Sequence, residues 1–173
     1  MIQQMTFFLR DYKRICGRYW FRYAYLWMNR ISVGIFLYRF ERGMFLLLGK
    51  GWKVLRIIFI PILNILYAYA NCEIHYEAVI GPGLSVLHAA PGVVISGRSI
   101  IGEYFTLTGG NIIGGRAGKI GELKIGNHCS MGANAVILGP VILGDNTIVG
   151  ACALVVSNFA GNGILIGVPA KQL

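Results

Sequence analysis

The sequence predicts a mainly β fold, a parallel β-helix of hexapeptide repeats preceded by an N-terminal helical region. Three observations carry that prediction. Aliphatic residues recur every six positions at Ile74, Ile80 and Val86, at Ile95, Ile101, Leu107 and Ile113, and at Ile125, Met131, Ile137, Leu143, Val149 and Val155. The position four residues after the repeat residue is usually compact, as at Ala78, Ser99, Cys129, Ala135, Thr147 and Ala153, as expected where a second side chain must fit a narrow interior. Composition also changes abruptly near Asn71: residues 1–72 hold eleven Lys or Arg against Asp11 and Glu41, and 17 of the 21 aromatic residues. A fixed short period marks a solenoid whose turns stack on one another, and neither a 3.6-residue nor a seven-residue period produces spacings of six.

Residues 1–71 form the first domain, basic, aromatic-rich and helical. The longest uncharged run in that half, Ile57 to Ala70, has 14 residues and contains Pro61, whereas a membrane span needs about 20 apolar residues. Met1 to Arg10 lacks a basic n-region and a small-residue cleavage site, so no signal peptide is expected. Long apolar runs between the cations, with no recognition motif, argue against nucleic acid as a partner. Two roles remain open for this domain. Its aromatics form the core of helices packed on the solenoid and on other subunits, or Trp20, Trp27 and Trp52 with their flanking Lys and Arg form a membrane interface. Cys16, Cys72, Cys129 and Cys152 show no pairing pattern, which fits a reducing compartment. The expected location is the cytoplasm, peripheral on the inner face of the cytoplasmic membrane.

Residues 72–173 form the second domain, the β-helix. Each hexad supplies a short strand and a turn, and three hexads close one coil of about 18 residues. Two breaks in phase are informative. Val86 and Ile95 are nine residues apart, so the segment around Ala89, Ala90 and Pro91 bulges outward. Lys119 stands where the frame asks for an aliphatic residue, within the glycine-rich stretch Gly114 to Glu122, which reads as a loop leaving the scaffold. Loops on a rigid scaffold are where ligand chemistry concentrates.

Of the three histidines, His75 follows a repeat position, His128 sits in a tight turn, and His88 immediately precedes the bulge. Their spacing matches no metal-ligand set, so no metal is expected. The irregularity beside His88 exposes an imidazole at a coil edge, and imidazole is the side chain suited to general-base work near neutral pH.

The segment Cys72 to Leu84, continuing through Leu87-His88-Ala89-Ala90-Pro91-Gly92-Val93-Val94-Ile95, resembles the serine acetyltransferase branch of the left-handed β-helix acyltransferases. So do Gly114-Gly115 and the end Gly167-Val168-Pro169-Ala170-Lys171. The resemblance covers roughly residues 71–173. It implies coils wound left-handed, against the usual crossover rule, and a homotrimer with acetyl-CoA between neighbouring solenoids. It makes His88 the catalytic base and Glu73 the acid that orients it. It places acetyl-CoA against Gly114, Gly115 and the backbones of Ala133 and Ala151, and the charge of Lys119 adds a candidate partner for the cofactor's phosphates.

The departures from the family bear on the acceptor. The family has an acid immediately before the catalytic histidine, where this chain has Leu87, and an Arg-His pair after the Gly-Gly loop, where this chain reads Gly121-Glu122 in a shorter loop. One extra residue follows His88. A pocket without the charges that hold an amino acid should not favour free serine. The expected reaction is therefore O-acetylation of a small-molecule or lipid-linked sugar hydroxyl in surface-polysaccharide biosynthesis. The alternatives are serine O-acetylation and a non-enzymatic β-helix scaffold.

Overall fold

A computed structural model describes residues 1–173 apart from the side chain of Trp20, which lies outside the described residues. Helix α1 (Ile2–Cys16) is followed by a 3₁₀ segment (Trp20–Met28), α2 (Arg30–Leu48) and α3 (Lys50–Ala70). Asn29 caps α2 by accepting from the amides of Ile31 and Ser32, the interaction for which Asn is favoured at that position. Gly49 at φ 55° ends α2, and Asn71 at φ 50° ends α3. Helix α3 runs unbroken through Pro61, beyond the uncharged run on which the expectation for this segment rested. The ring removes one helical donor there, but Pro61 is exposed, so the freed carbonyl can turn to solvent.

The chain then coils. One face stacks β1 (Cys72–Ile74), β4 (Val93–Ile95), β7 (Asn111–Gly115), β10 (Val136–Gly139) and β13 (Leu154–Val155). The second stacks β2 (Val79–Ile80), β5 (Ser99–Ile101), β8 (Leu123–Ile125) and β11 (Val141–Leu143). The third stacks β3 (Ser85–Val86), β6 (Thr106–Leu107), β9 (Ser130–Met131), β12 (Thr147–Val149) and β14 (Gly163–Ile166), closed by an antiparallel β15 (Lys171–Gln172). All pairings between coils are parallel and keep the repeat in register, as Ile74 with Ile95, Ile95 with Ile113 and Ile113 with Ile137. The thirteen repeat residues are all buried, and so are the compact residues at the fourth position after them, Ala78, Ser99, Cys129, Ala135, Thr147 and Ala153.

The helices cover the open end of the solenoid. The first coil has no preceding coil to bond its outward backbone groups, and side chains of α1 and α2 meet them instead. Arg39 donates to the carbonyls of Ile80 and Gly81, each at 2.7 Å. Tyr38 Oη donates to the carbonyl of Ala78 and accepts from the amide of Ile80. Arg42 reaches the carbonyls of Tyr76 and Glu77, and Arg14 that of Gly83 and, in the second coil, that of Phe105. Asp11 accepts from the amides of Gly83 and Leu84 and pairs with Arg39 at 2.8 Å, both side chains fully buried. Burial pushes the Asp11 carboxyl above its ordinary value, and the Arg39 guanidinium and the two amides oppose that shift. Gly34 allows this close approach, since a Cβ there would sit 2.8 Å from that of Cys72.

Much of the basic charge of residues 1–71 is thus engaged with protein. Arg30 bonds the Tyr69 carbonyl, Lys53 pairs with Glu77, and Arg56 pairs with the buried Glu41. Trp52 is also not interfacial as expected; it is buried and packs edge-on against Phe40. Trp27 is exposed.

Replacing Arg39 by Met should lower the unfolding free energy by about 3–5 kcal/mol, because Asp11 is left buried without its counter-charge. The double variant Asp11→Asn/Arg39→Met should recover part of that loss. Lys53→Ala, which removes an exposed pair, should leave the denaturation midpoint unchanged. Urea unfolding of the three variants checks all of these.

Candidate active site

His88 leaves the third face at the end of β3, where the chain turns toward β4. Its amide donates to the Thr108 carbonyl of the next coil at 3.0 Å, and its side chain is exposed. The imidazole lines a cleft of about 610 Å³ together with Leu87, Tyr25, Met28, Asn29 and Arg30. The bulge that follows is held by Asn71, whose Nδ2 donates to the carbonyls of Ala89 and Ala90 at 3.1 and 2.9 Å. This contact uses the same left-handed Asn that ends α3, so helix, bulge and histidine are positioned together.

The turns below His88 stack in one column. Thr108 donates its amide to the Met131 carbonyl, Asn134 to Gly109, Gly132 to Val149, and Cys152 to Ala133. The edge therefore runs from His88 through Thr108, Gly109 and Gly110 to Ala133 and then Ala151. The structure places His88, Ala133 and Ala151 on a single edge of the prism.

Gly109 and Gly110 form the turn against which the His88 bulge packs. Gly109, at φ 137°, lies where a Cβ would stand 2.5 Å from the His88 carbonyl oxygen. Gly110, at φ 69°, donates to the Gly92 carbonyl at 2.6 Å, and a Cβ there would collide with Asn134 Oδ1. Asn111 fixes this turn: it is fully buried, accepts from the Gly109 amide at 2.8 Å and donates to the Gly132 carbonyl at 2.7 Å. In the sequence this turn shows only as a glycine pair that begins two positions after the repeat residue Leu107.

The remaining expected site residues lie elsewhere on the chain. Gly114 and Gly115 belong to β7, paired with Leu138 and Gly139; the loop leaves the solenoid only after them, at residues 116–122. Pairing with β10 extends the strand because glycine can still supply the ladder its amide and carbonyl. Lys119 is exposed in that loop and lines a basic cleft with Arg98 and Arg116. That cleft is on the edge between the first and second faces, away from His88 within one chain.

Glu73 projects outward from β1 and lines a second cleft, about 450 Å³, with Tyr67, Asn71, Pro91 and Asn111. Among the described residues no hydrogen bond joins Glu73 to His88, and the bulge residues Ala89 to Pro91 stand between the two clefts.

Residues 123–157 match the family model described as bacterial transferase hexapeptide (six repeats). A serine acetyltransferase of Mycobacterium tuberculosis is 34% identical over 104 residues, 58% of this chain and 44% of that protein. The putative colanic acid biosynthesis acetyltransferase WcaB of Escherichia coli is 31% identical over 116 residues, 64% of this chain and 71% of WcaB. The crystal structure of Neisseria gonorrhoeae serine acetyltransferase superposes with a TM-score of 0.83 at 28% identity, over 99% of this chain and 66% of that one. The structural likeness therefore includes the helices as well as the solenoid. The chain belongs to the left-handed β-helix, hexapeptide-repeat acyltransferase family, on its serine acetyltransferase-like branch. It spans only part of the length of the curated serine acetyltransferases it matches, from 29% to 60%.

Asn111→Ala should free the Gly109 amide and the Gly132 carbonyl inside the protein and lower the unfolding free energy by about 1–3 kcal/mol. Chemical denaturation reads that change, and Asn111→Asp, which keeps the acceptor for Gly109 but sets a buried carboxylate oxygen against the Gly132 carbonyl, should lose at least as much.

Proposed function

We propose that this protein is an acetyl-CoA-dependent O-acetyltransferase whose acceptor is a sugar hydroxyl, in the chemistry of surface-polysaccharide assembly. The observation that carries the reading is the shared edge, with an exposed histidine at its head and the small residues Ala133 and Ala151 below it. Small side chains leave the backbone open to an extended ligand such as the pantetheine arm of CoA. Backbone amides beside such a ligand can stabilise a developing oxyanion.

In this mechanism His88 takes the proton from the acceptor hydroxyl as its oxygen attacks the thioester carbon. The tetrahedral intermediate collapses, the C–S bond breaks, and the CoA thiolate leaves with the proton that His88 returns. The family resemblance assigns Glu73 the role of orienting the imidazole, but in this chain it lines the neighbouring cleft and makes no hydrogen bond to His88 among the described residues. The working unit is a homotrimer, in which the Lys119 loop of one subunit faces the His88 edge of the next and contributes positive charge toward CoA phosphates.

Support for a sugar acceptor comes from Leu87, which lines the His88 cleft where the family carries an acid, and from the likeness to WcaB. Serine O-acetylation is the second reading, supported by the 34–36% identity to serine acetyltransferases over 103–104 residues.

Free-thiol release from acetyl-CoA, with L-serine offered separately from a panel of sugars and nucleotide sugars, tests the assignment. Turnover on a sugar and not on serine is the expected result; turnover on serine alone moves the protein to the second reading. His88→Ala should lower kcat by a factor on the order of 10² or more while leaving CoA binding intact, and an active variant would remove His88 as the base. Glu73→Gln should lower kcat by roughly tenfold with KM for acetyl-CoA unchanged; a change confined to acceptor KM would make Glu73 a binding residue.

A further inference from the structure

Residues 1–71 carry an apolar surface that the fold leaves uncovered. On α3, Val54, Ile57, Ile58, Ile62 and Ile65 are all exposed, Ile58 at 74%. Spacings of three and four put them on one stripe of the helix. At the α2 end the stripe meets the exposed Leu46, Leu47 and Leu48. At the other end Tyr69 Oη donates to the carbonyls of Trp27 and Met28, bringing in two more exposed side chains, 63% and 73% accessible. Beneath it, α2 and α3 enclose a wholly apolar cavity of about 330 Å³ lined by Phe36, Phe40, Met44, Trp52 and Phe59.

Helix α3 has the length and composition to cross a membrane, but both its ends are tied to the same scaffold. Near its start Trp52 is buried against Phe40 of α2, and Arg56 pairs with the buried Glu41. At its end Arg30 holds the Tyr69 carbonyl at 2.6 Å, and Asn71 holds the bulge. A helix fixed at both ends on one rigid body lies along a bilayer rather than through it.

Charge distinguishes a lipid surface from a second copy of this chain. The side chains of Arg10, Lys13, Arg18, Arg22 and Lys50 make no hydrogen bond or ion pair among the described residues, whereas Asp11 and Glu41 are buried against arginines. The helical region of a second copy would present the same unbalanced cations, while anionic headgroups complement them.

We propose that the α3 stripe, with Trp27 and Met28, is a docking surface for an anionic phospholipid membrane, and that it brings the headgroup layer to the His88 cleft. Met28 links the two, being part of the stripe and of the cleft wall. The acceptor is then a hydroxyl on a lipid carrier, its chain in the bilayer and its polar head at the imidazole. That last step rests on the reading of His88 as the base; the docking surface does not.

The test is flotation of the full chain with phosphatidylcholine vesicles made with and without phosphatidylglycerol, comparing wild type with Ile58→Asp/Ile65→Asp. Wild type should float with the phosphatidylglycerol vesicles, and the variant should bind at least about tenfold more weakly at an unchanged melting temperature. A wild type that stays unbound with both vesicles overturns the proposal. So does a variant whose only change is loss of self-association, which assigns the stripe to a second copy. Vesicle binding by a protein that does not consume acetyl-CoA supports the docking surface and removes the catalytic reading separately.

Discussion

The buried pair of Asp11 and Arg39 is the interaction on which the arrangement of this molecule depends. A β-solenoid satisfies its backbone by stacking coil on coil, and its first coil presents groups with nothing beyond them. Here the guanidinium takes the carbonyls of Ile80 and Gly81, and the carboxylate takes the amides of Gly83 and Leu84. An isolated charge of either sign would be costly at that depth; the two together form a hydrogen-bonded plug between helix and coil. Because α1 and α2 are seated by this plug, the 3₁₀ segment between them falls beside the bulge, and its Tyr25 and Met28 become walls of the His88 cleft.

The solenoid was legible because its constraint is local and repeated. Each inward residue must be aliphatic for the same reason as the one six positions away, so Ile74 and Val155 say the same thing about the fold. The role of the helical cations was not legible. Arg14, Arg39 and Arg42 look like surface charges in sequence, and only the fold reveals that they complete the hydrogen bonding of a coil end. Trp52 failed as an interfacial residue for a similar reason: flanking lysines mark an interface only if the ring faces outward, and α2 covers it.

The candidate site was half legible. His88 stands out in the sequence because the bulge after it breaks a strict period, whereas Ala133 and Ala151 enter only through the family resemblance. Gly114-Gly115 stands next to an obvious irregularity, whereas Gly109-Gly110 sits within the repeat and declares itself only through the collisions a side chain there would cause. The relation of Glu73 to His88 rests on a spacing of 15 residues, and a spacing does not fix whether two side chains on different faces of a coil share a cleft.

The central claim is that one edge of the prism, from His88 past Gly109 and Ala133 to Ala151, is the cofactor edge. Hydrogen exchange of the whole protein with and without CoA tests it most directly. The account predicts slowed exchange at the amides of residues 108–110, 132–134 and 150–152 on adding CoA, with little change along α3. Protection confined to other parts of the molecule, or none at saturating CoA, would contradict it.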